Sequence, residues 1–107
     1  MSSWNISYLP AALNDMEELD GSLRQEVGKA IYKVSHNPLP QREGGYGVEL
    51  GNKVGIDLSG CLKIKLKKAG GRIVYKLERN EQDMTIVIVG MRADLQVYRE
   101  AAKRLGR

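Results

Sequence analysis

Cysteine and histidine occur once each in this chain, as Cys61 and His36. A single thiol excludes an internal disulfide framework, and one thiol with one imidazole cannot supply the ligands of an ordinary zinc site. No apolar run approaches the roughly 18 residues of a membrane-spanning helix. Residues 1–8 have neither a basic start nor a long apolar stretch, so no secretory signal is expected there. A reducing, cytoplasmic setting with no membrane partner is the expectation. The patterns G-x-x-x-x-G-K-[ST], HExxH and G-x-S-x-G are also missing, which removes the phosphate-cradling loop, the helical zinc site and the serine-nucleophile elbow. No metal, no cofactor and no covalent nucleophile are expected.

What remains is 107 residues, 42% of them hydrophobic, with 17 Lys+Arg against 13 Asp+Glu for a net charge of +4. This suits one globular domain spanning residues 1–107 and one modest core. The net charge is small but its distribution is not. Asp15, Glu17, Glu18, Asp20 and Glu26 are opposed only by Arg24. Lys63, Lys65, Lys67, Lys68, Arg72 and Lys76 run together with no acid among them. Arg92, Arg99, Lys103, Arg104 and Arg107 follow against Asp94 and Glu100. A clustered basic surface suits a polyanion, most often nucleic acid, although a solvated charged face would look the same.

The hydrophobic pattern gives an order of elements. Residues 4–9 alternate as a short strand with Trp4, Ile6 and Tyr8 on one face. Pro10 can open a helix. Leu13, Met16 and Leu19 recur at helical spacing, and Asp20-Gly21 ends that helix. A second helix is expected from Ser22, with Gln25 as its capping-box partner and Leu23, Val27, Ile31 and Val34 as its buried stripe. His36 falls in its last turn, where a cationic side chain suits the helix dipole, and Asn37-Pro38 stops it. Residues 38–60 carry six glycines and resist assignment. Leu62, Ile64 and Leu66 alternate with Lys63, Lys65 and Lys67 as a half-buried strand. A two-residue Gly70-Gly71 turn would set Ala69 opposite Arg72, Leu66 opposite Tyr75 and Ile64 opposite Leu77. Lys65 would then face Lys76, and Lys63 would face Glu78. Residues 84–89 are apolar on both sides and read as a central strand. A last helix, capped by Asp94, carries Leu95, Tyr98, Ala101, Ala102 and Leu105. The result is an α+β fold, β-α-α-β-β-β-α, with helices on one face of a mainly antiparallel sheet and lysines on the other.

Lys63 and Lys65 point to one face of their strand about 7 Å apart, a spacing that can grip neighbouring phosphates. The alternative is a solubilising edge strand. Arg72 enters the next strand on the same face, and Arg92 sits just past the central strand, where it can reach over the sheet. Tyr98 falls mid-stripe on the last helix and should be core, though a ring at the rim could stack on a base. His36 and Cys61 read as a helix-end residue and a buried, inert thiol.

The run Leu58-Ser59-Gly60-Cys61-Leu62-Lys63-Ile64-Lys65-Leu66, then Gly71-Arg72-Ile73-Val74-Tyr75, then Val89-Gly90-Met91-Arg92 and Val97-Tyr98, resembles the RelE-type toxins of the RelE/ParE toxin–antitoxin superfamily. Order, spacing and the leading helical hairpin fit along nearly the whole chain. The resemblance implies a ribosome-dependent endoribonuclease that cuts mRNA in the decoding site of the 30S subunit, by attack of a ribose 2′-hydroxyl on the adjacent phosphate. By position it makes Lys63 and Lys65 the paired catalytic lysines, with Lys63 the base. Lys65 and Lys76 would depress its affinity for a proton. Arg72 would clamp the phosphate, Arg92 would stabilise developing charge or protonate the leaving oxygen, and Tyr98 would orient or stack on the nucleotide. It also implies a cognate acidic, RelB-like antitoxin and a heteromeric complex with it. Two departures stand out. Leu62 occupies a position where an aromatic is common, and residues 38–57 are longer and richer in glycine than in the shortest members. A ParE-like gyrase inhibitor and a non-catalytic RNA-binding relative are the competing functions on this fold.

Overall fold

The computed structural model describes residues 3–66 and 70–107. Its elements are β1 (Asn5–Tyr8), α1 (Pro10–Glu17), α2 (Gly21–Ser35), β2 (Val48–Lys53), β3 (Ile56–Lys65), β4 (Arg72–Glu78), β5 (Asp83–Gly90) and α3 (Asp94–Arg104), with a 3-10 turn at Gln41–Glu43. The strands form one sheet in the order β1-β5-β4-β3-β2. β1 runs parallel to β5 and the other neighbours are antiparallel. The α+β class and the expected order hold. The glycine-rich segment contributes one further strand, β2, and lengthens β3 at its start.

Local chemistry accounts for the helical hairpin. Pro10 stands in the first turn of α1, where its missing N–H costs nothing. The α2 cap is Asp20 rather than Ser22: its side chain accepts a 2.8 Å hydrogen bond from the Leu23 N–H. A carboxylate two residues earlier satisfies the orphan amide and leaves Gly21 as the first helical residue. Arg24 then reaches back and donates to the carbonyls of Met16, Glu17 and Leu19, which closes the end of α1. Val27, Ile31 and Val34 bury one stripe of α2, each contributing roughly 1.5–3 kcal/mol. His36 caps the far end, its Nδ1 lying 2.9 Å from the Tyr32 carbonyl.

The register of β3 and β4 differs from expectation by four residues. Leu62 faces Tyr75, Ile64 faces Ile73, Lys63 faces Val74, Lys65 faces Arg72 and Cys61 faces Lys76. Pairing ends where the Leu66 N–H donates to the Gly71 carbonyl at 2.9 Å. The connection is therefore longer than a Gly70-Gly71 turn. The pairing expected of Ala69, and the alternation expected of Lys67, lie outside the described residues. The displacement is even, so every side chain keeps its face.

Helices cover both faces, not one. The α1–α2 hairpin packs on the face of Leu62, Leu66, Ile73, Tyr75, Met84 and Ile86. The second face carries Leu50, Leu58, Cys61, Val74, Val87 and Ile88 and is covered by α3 through Val97, Tyr98, Ala101 and Ala102. A bulge makes this possible. Val74 pairs with Ile88 but Tyr75 pairs with Ile86, so Val87 is the extra residue and both Val87 and Ile88 turn toward α3. The stripe of α3 is rotated accordingly: Val97 is buried and Leu95 is exposed. Ala93 caps α3, and Asp94 is its first residue with no capping hydrogen bond. Asp94 is engaged elsewhere.

Candidate active site

One end of the second sheet face gathers the basic side chains. Lys63 and Lys65 leave β3 on the α3 side, beside Arg72 of β4. Arg72 in turn pairs with Gly90, the last residue of β5. Lys65, Arg72 and Gly90 thus form one row across three strands, spaced about 4.8 Å per strand. The chain then turns over this row. Met91 lies so close to Gly71 that a β-carbon there would meet its Sδ at 2.4 Å. Gly90 is equally constrained, since a β-carbon would meet Val97 Cγ2 at 2.6 Å. These two glycines bring α3 and the 91–92 turn down onto the sheet.

Lys63 is half-buried and donates from Nζ to the Tyr98 hydroxyl at 3.3 Å. Tyr98 itself is only 4% exposed. Its ring belongs to the core, as its periodicity predicts, and is not available to stack on a base. Its hydroxyl fixes Lys63. Lys65 is exposed beside it. The like-charge pair expected between Lys65 and Lys76 is replaced by Lys65 against Arg72. Arg72 keeps 15% of its side chain exposed and is ion-paired with Asp94. The carboxylate rests against Nε as an ion pair, not as an aligned hydrogen bond, and Nη1 donates to the Gly70 carbonyl. Arg92 is exposed on the turn beyond β5. It lines a cleft of about 820 Å³ between α1 and α3, whereas Lys63 and Lys65 line a separate groove of about 610 Å³ beside α2.

Chemically the row is a cluster of positive charge, with Arg72 already paired to Asp94. Two amines and a guanidinium occupy adjacent strands, with a second guanidinium on a turn at the same end. Among the described residues no group of three or more His, Cys, Asp and Glu could hold a metal ion. Cys61 is 1% exposed, and burial pushes its thiol above the ordinary range. Burial likewise raises Tyr75, whose hydroxyl donates to the Pro38 carbonyl at 2.8 Å.

Two anchoring groups escape the sequence. Asp94 looks like a helix cap by position, and nothing in its neighbourhood signals Arg72. Asp15 looks like part of an acidic surface. In fact it accepts from Arg104 Nη1 at 2.6 Å, from Nη2 at 3.0 Å and from the Val89 N–H at 3.0 Å. Hydrogen bonding to Asp15 raises the guanidinium's pKa further. This bridge ties α1, β5 and α3 together just before the Arg92 turn.

No model of a known protein family matches the chain. Individual proteins do. It is 29% identical over 100 residues to the mRNA interferase toxin RelE of Escherichia coli K12, an alignment that covers 94% of this chain and 95% of that one. It is 26% identical over 102 residues to a RelE-like toxin protein of Escherichia coli, covering 95% and 97%. Among solved structures, a mutant of Escherichia coli toxin RelE in the free state superposes with a TM-score of 0.72 at 25% identity, covering 97% of this chain and 99% of that one. A chain of the intact Escherichia coli RelBE toxin–antitoxin complex gives 0.64 at 21% identity, covering 85% of this chain and 99% of that one.

Proposed function

We propose that this chain, a RelE-type toxin by its sequence relatives and its fold, is an mRNA interferase: an endoribonuclease that stops translation by cutting messenger RNA. Its relatives span it almost end to end, and one of them is named for that activity. A cognate antitoxin follows from the structures in which RelE is bound to RelB. The ribosomal decoding site as the place of cleavage, and the cytoplasm as the compartment, are parts of the same proposal. No described helix is long and apolar enough to cross a membrane.

One observation carries the mechanism: Lys63, held by Tyr98, stands on the same sheet face as Lys65 and Arg72. The substrate brings its own nucleophile. A ribose 2′-hydroxyl attacks the adjacent phosphorus, and its proton passes to Lys63. The bond from phosphorus to the 5′-oxygen breaks, and that oxygen takes a proton from water while Arg92 stabilises the negative charge developing on it. The products are a 2′,3′-cyclic phosphate and a free 5′-hydroxyl. The transition state gathers negative charge on the phosphoryl oxygens, and preorganised cations stabilise it. Lys65 and Arg72 supply them. Arg72 does so by exchanging the Asp94 carboxylate for the phosphate. The ribosome supplies alignment of the sugar and phosphate, which carries much of the rate. Tyr98 is a positioning residue in this scheme, since it acts through Lys63.

The test is expression without an antitoxin, with message ends mapped across the transcriptome. Growth arrest with cuts inside translated codons is expected, and both should vanish in the Lys63→Ala, Arg92→Ala double mutant. Arrest without cuts, together with loss of supercoiling activity by DNA gyrase, would assign the chain to the ParE-like reading instead. The engaged Arg72 favours one other outcome, salt-sensitive RNA binding with no cleavage on translating ribosomes, which would make it a non-catalytic relative.

A further inference from the structure

The glycine-rich segment between α2 and β2 has no part in the chemistry above, yet it is tightly fastened. The Tyr46 N–H donates to the Asn37 carbonyl at 3.0 Å, the Gly47 N–H to Leu39 at 3.0 Å and the Gln41 N–H to Gly47 at 2.9 Å. Glycine is required on either side of Tyr46. A β-carbon at Gly45 would meet the Leu39 carbonyl oxygen at 2.0 Å, and one at Gly47 would meet the Tyr75 hydroxyl at 2.3 Å. The result of this close packing is an aromatic ring that is 49% exposed. A core would have hidden the ring, and a merely solvated loop would not need such constraint.

Tyr46 faces the groove that Lys63 and Lys65 line. Lys33 of α2 lies over its ring, 5.3 Å from the centroid. Val48, also exposed, continues the apolar floor, and Glu26 is the acid that lines the groove. The groove's volume of about 610 Å³ falls within the range of small-ligand sites. A fixed aromatic face with cations on two sides is what unpaired nucleic-acid bases bind: the base stacks and its phosphates meet the cations.

We propose that Tyr46 is a stacking shelf for an unpaired base of the RNA, in the nucleotide next to the phosphate gripped by Lys63 and Lys65. This rests on the reading that those lysines hold RNA. The shelf is preformed, so little conformational freedom is lost when the base arrives. It gives the 38–60 segment a task in substrate binding that the catalytic row does not cover.

The experiment uses the full chain and a short, labelled single-stranded RNA whose riboses are 2′-O-methylated, so that it cannot be cut. Binding is followed by fluorescence anisotropy across a salt series. Tyr46→Ala should weaken binding roughly 5- to 150-fold, the range for loss of one stacked base. Its salt slope should stay that of the parent, because no phosphate contact is lost. Tyr46→Phe should bind like the parent. The exposed side chain can be removed without unfolding, which an unchanged melting temperature verifies. If Tyr46→Ala binds RNA like the parent while a Lys63→Ala, Lys65→Ala variant loses binding, the shelf is wrong and the lysine grip stands. If the lysine variant also binds like the parent, the functional reading itself fails and the shelf with it. Weakened antitoxin binding with intact RNA binding would give the surface to a protein partner and overturn the proposal.

Discussion

Replacing Asp94 with asparagine should make the protein less stable and better at binding RNA. Asp94 stands at the first position of α3 with its carboxylate against Arg72, the guanidinium proposed to receive the scissile phosphate. The pair is unevenly buried, with 15% of the Arg72 side chain exposed but 49% of Asp94. Such a pair is screened, and its loss with the loss of charge at the helix N-terminus costs about 1 kcal/mol. For a domain of this size that lowers the melting temperature by roughly 4–8 °C. Binding should move the other way. A like charge roughly 6 Å from a bound phosphate costs about 0.7–2.8 kcal/mol for an effective dielectric between about 80 and about 20. The exposure of Asp94 favours the lower half, so Asp94→Asn should bind non-cleavable RNA about 3- to 20-fold more tightly at low salt, and the gain should shrink as salt is added. Calorimetry and anisotropy on the same samples measure both effects. In an Arg72→Ala background the gain should fall to the direct repulsion between carboxylate and phosphate, losing only the part that comes from freeing Arg72. Unchanged affinity in Asp94→Asn would refute the idea that the carboxylate and phosphate compete for Arg72.

Two further predictions concern the frame around the site. Asp15→Ala removes the acceptor of two Arg104 hydrogen bonds and of the Val89 N–H. Breaking a fully buried pair costs about 3–5 kcal/mol. Arg104 retains the Val87 carbonyl and Glu100, so about 2–3 kcal/mol is expected, read as the midpoint shift in denaturant unfolding; a shift within error would show that the bridge contributes nothing. Cys61 should resist alkylation at neutral pH in the folded protein and react on unfolding, because burial raises its thiol and shields it. A raised folded value means that its contribution to stability is whole below the ordinary thiol range and is lost as pH rises through the raised folded value. Rapid labelling of the native protein would contradict this.

Much of the frame could be read from residue order because its signals are local. Pro10, the α2 stripe and the alternation of Leu62, Ile64 and Leu66 each depend on near neighbours, and each survives in the fold. The register of β3 on β4 did not follow from Gly70-Gly71, because the turn begins earlier, at Leu66. The faces survived because the error was even. β2 was hidden because its alternation is broken: Gly51 sits at φ +59° beside a bulge, and Leu50 is its buried residue. The second helical layer was hidden too. It depends on the Val87 bulge, which turns consecutive β5 residues to one face, and no periodicity announces a bulge. At the site, the cations were legible as charges on a strand. Their partners were not: Tyr98 for Lys63 and Asp94 for Arg72 lie 35 and 22 residues away in sequence.

The most direct trial of the account is end-group analysis of a message cut on purified, programmed ribosomes by the purified protein. Fragments should carry a 2′,3′-cyclic phosphate upstream of the cut and a 5′-hydroxyl downstream, and Lys63→Ala should yield almost none. Fragments ending in a 5′-phosphate, or an equal yield from Lys63→Ala, would contradict it.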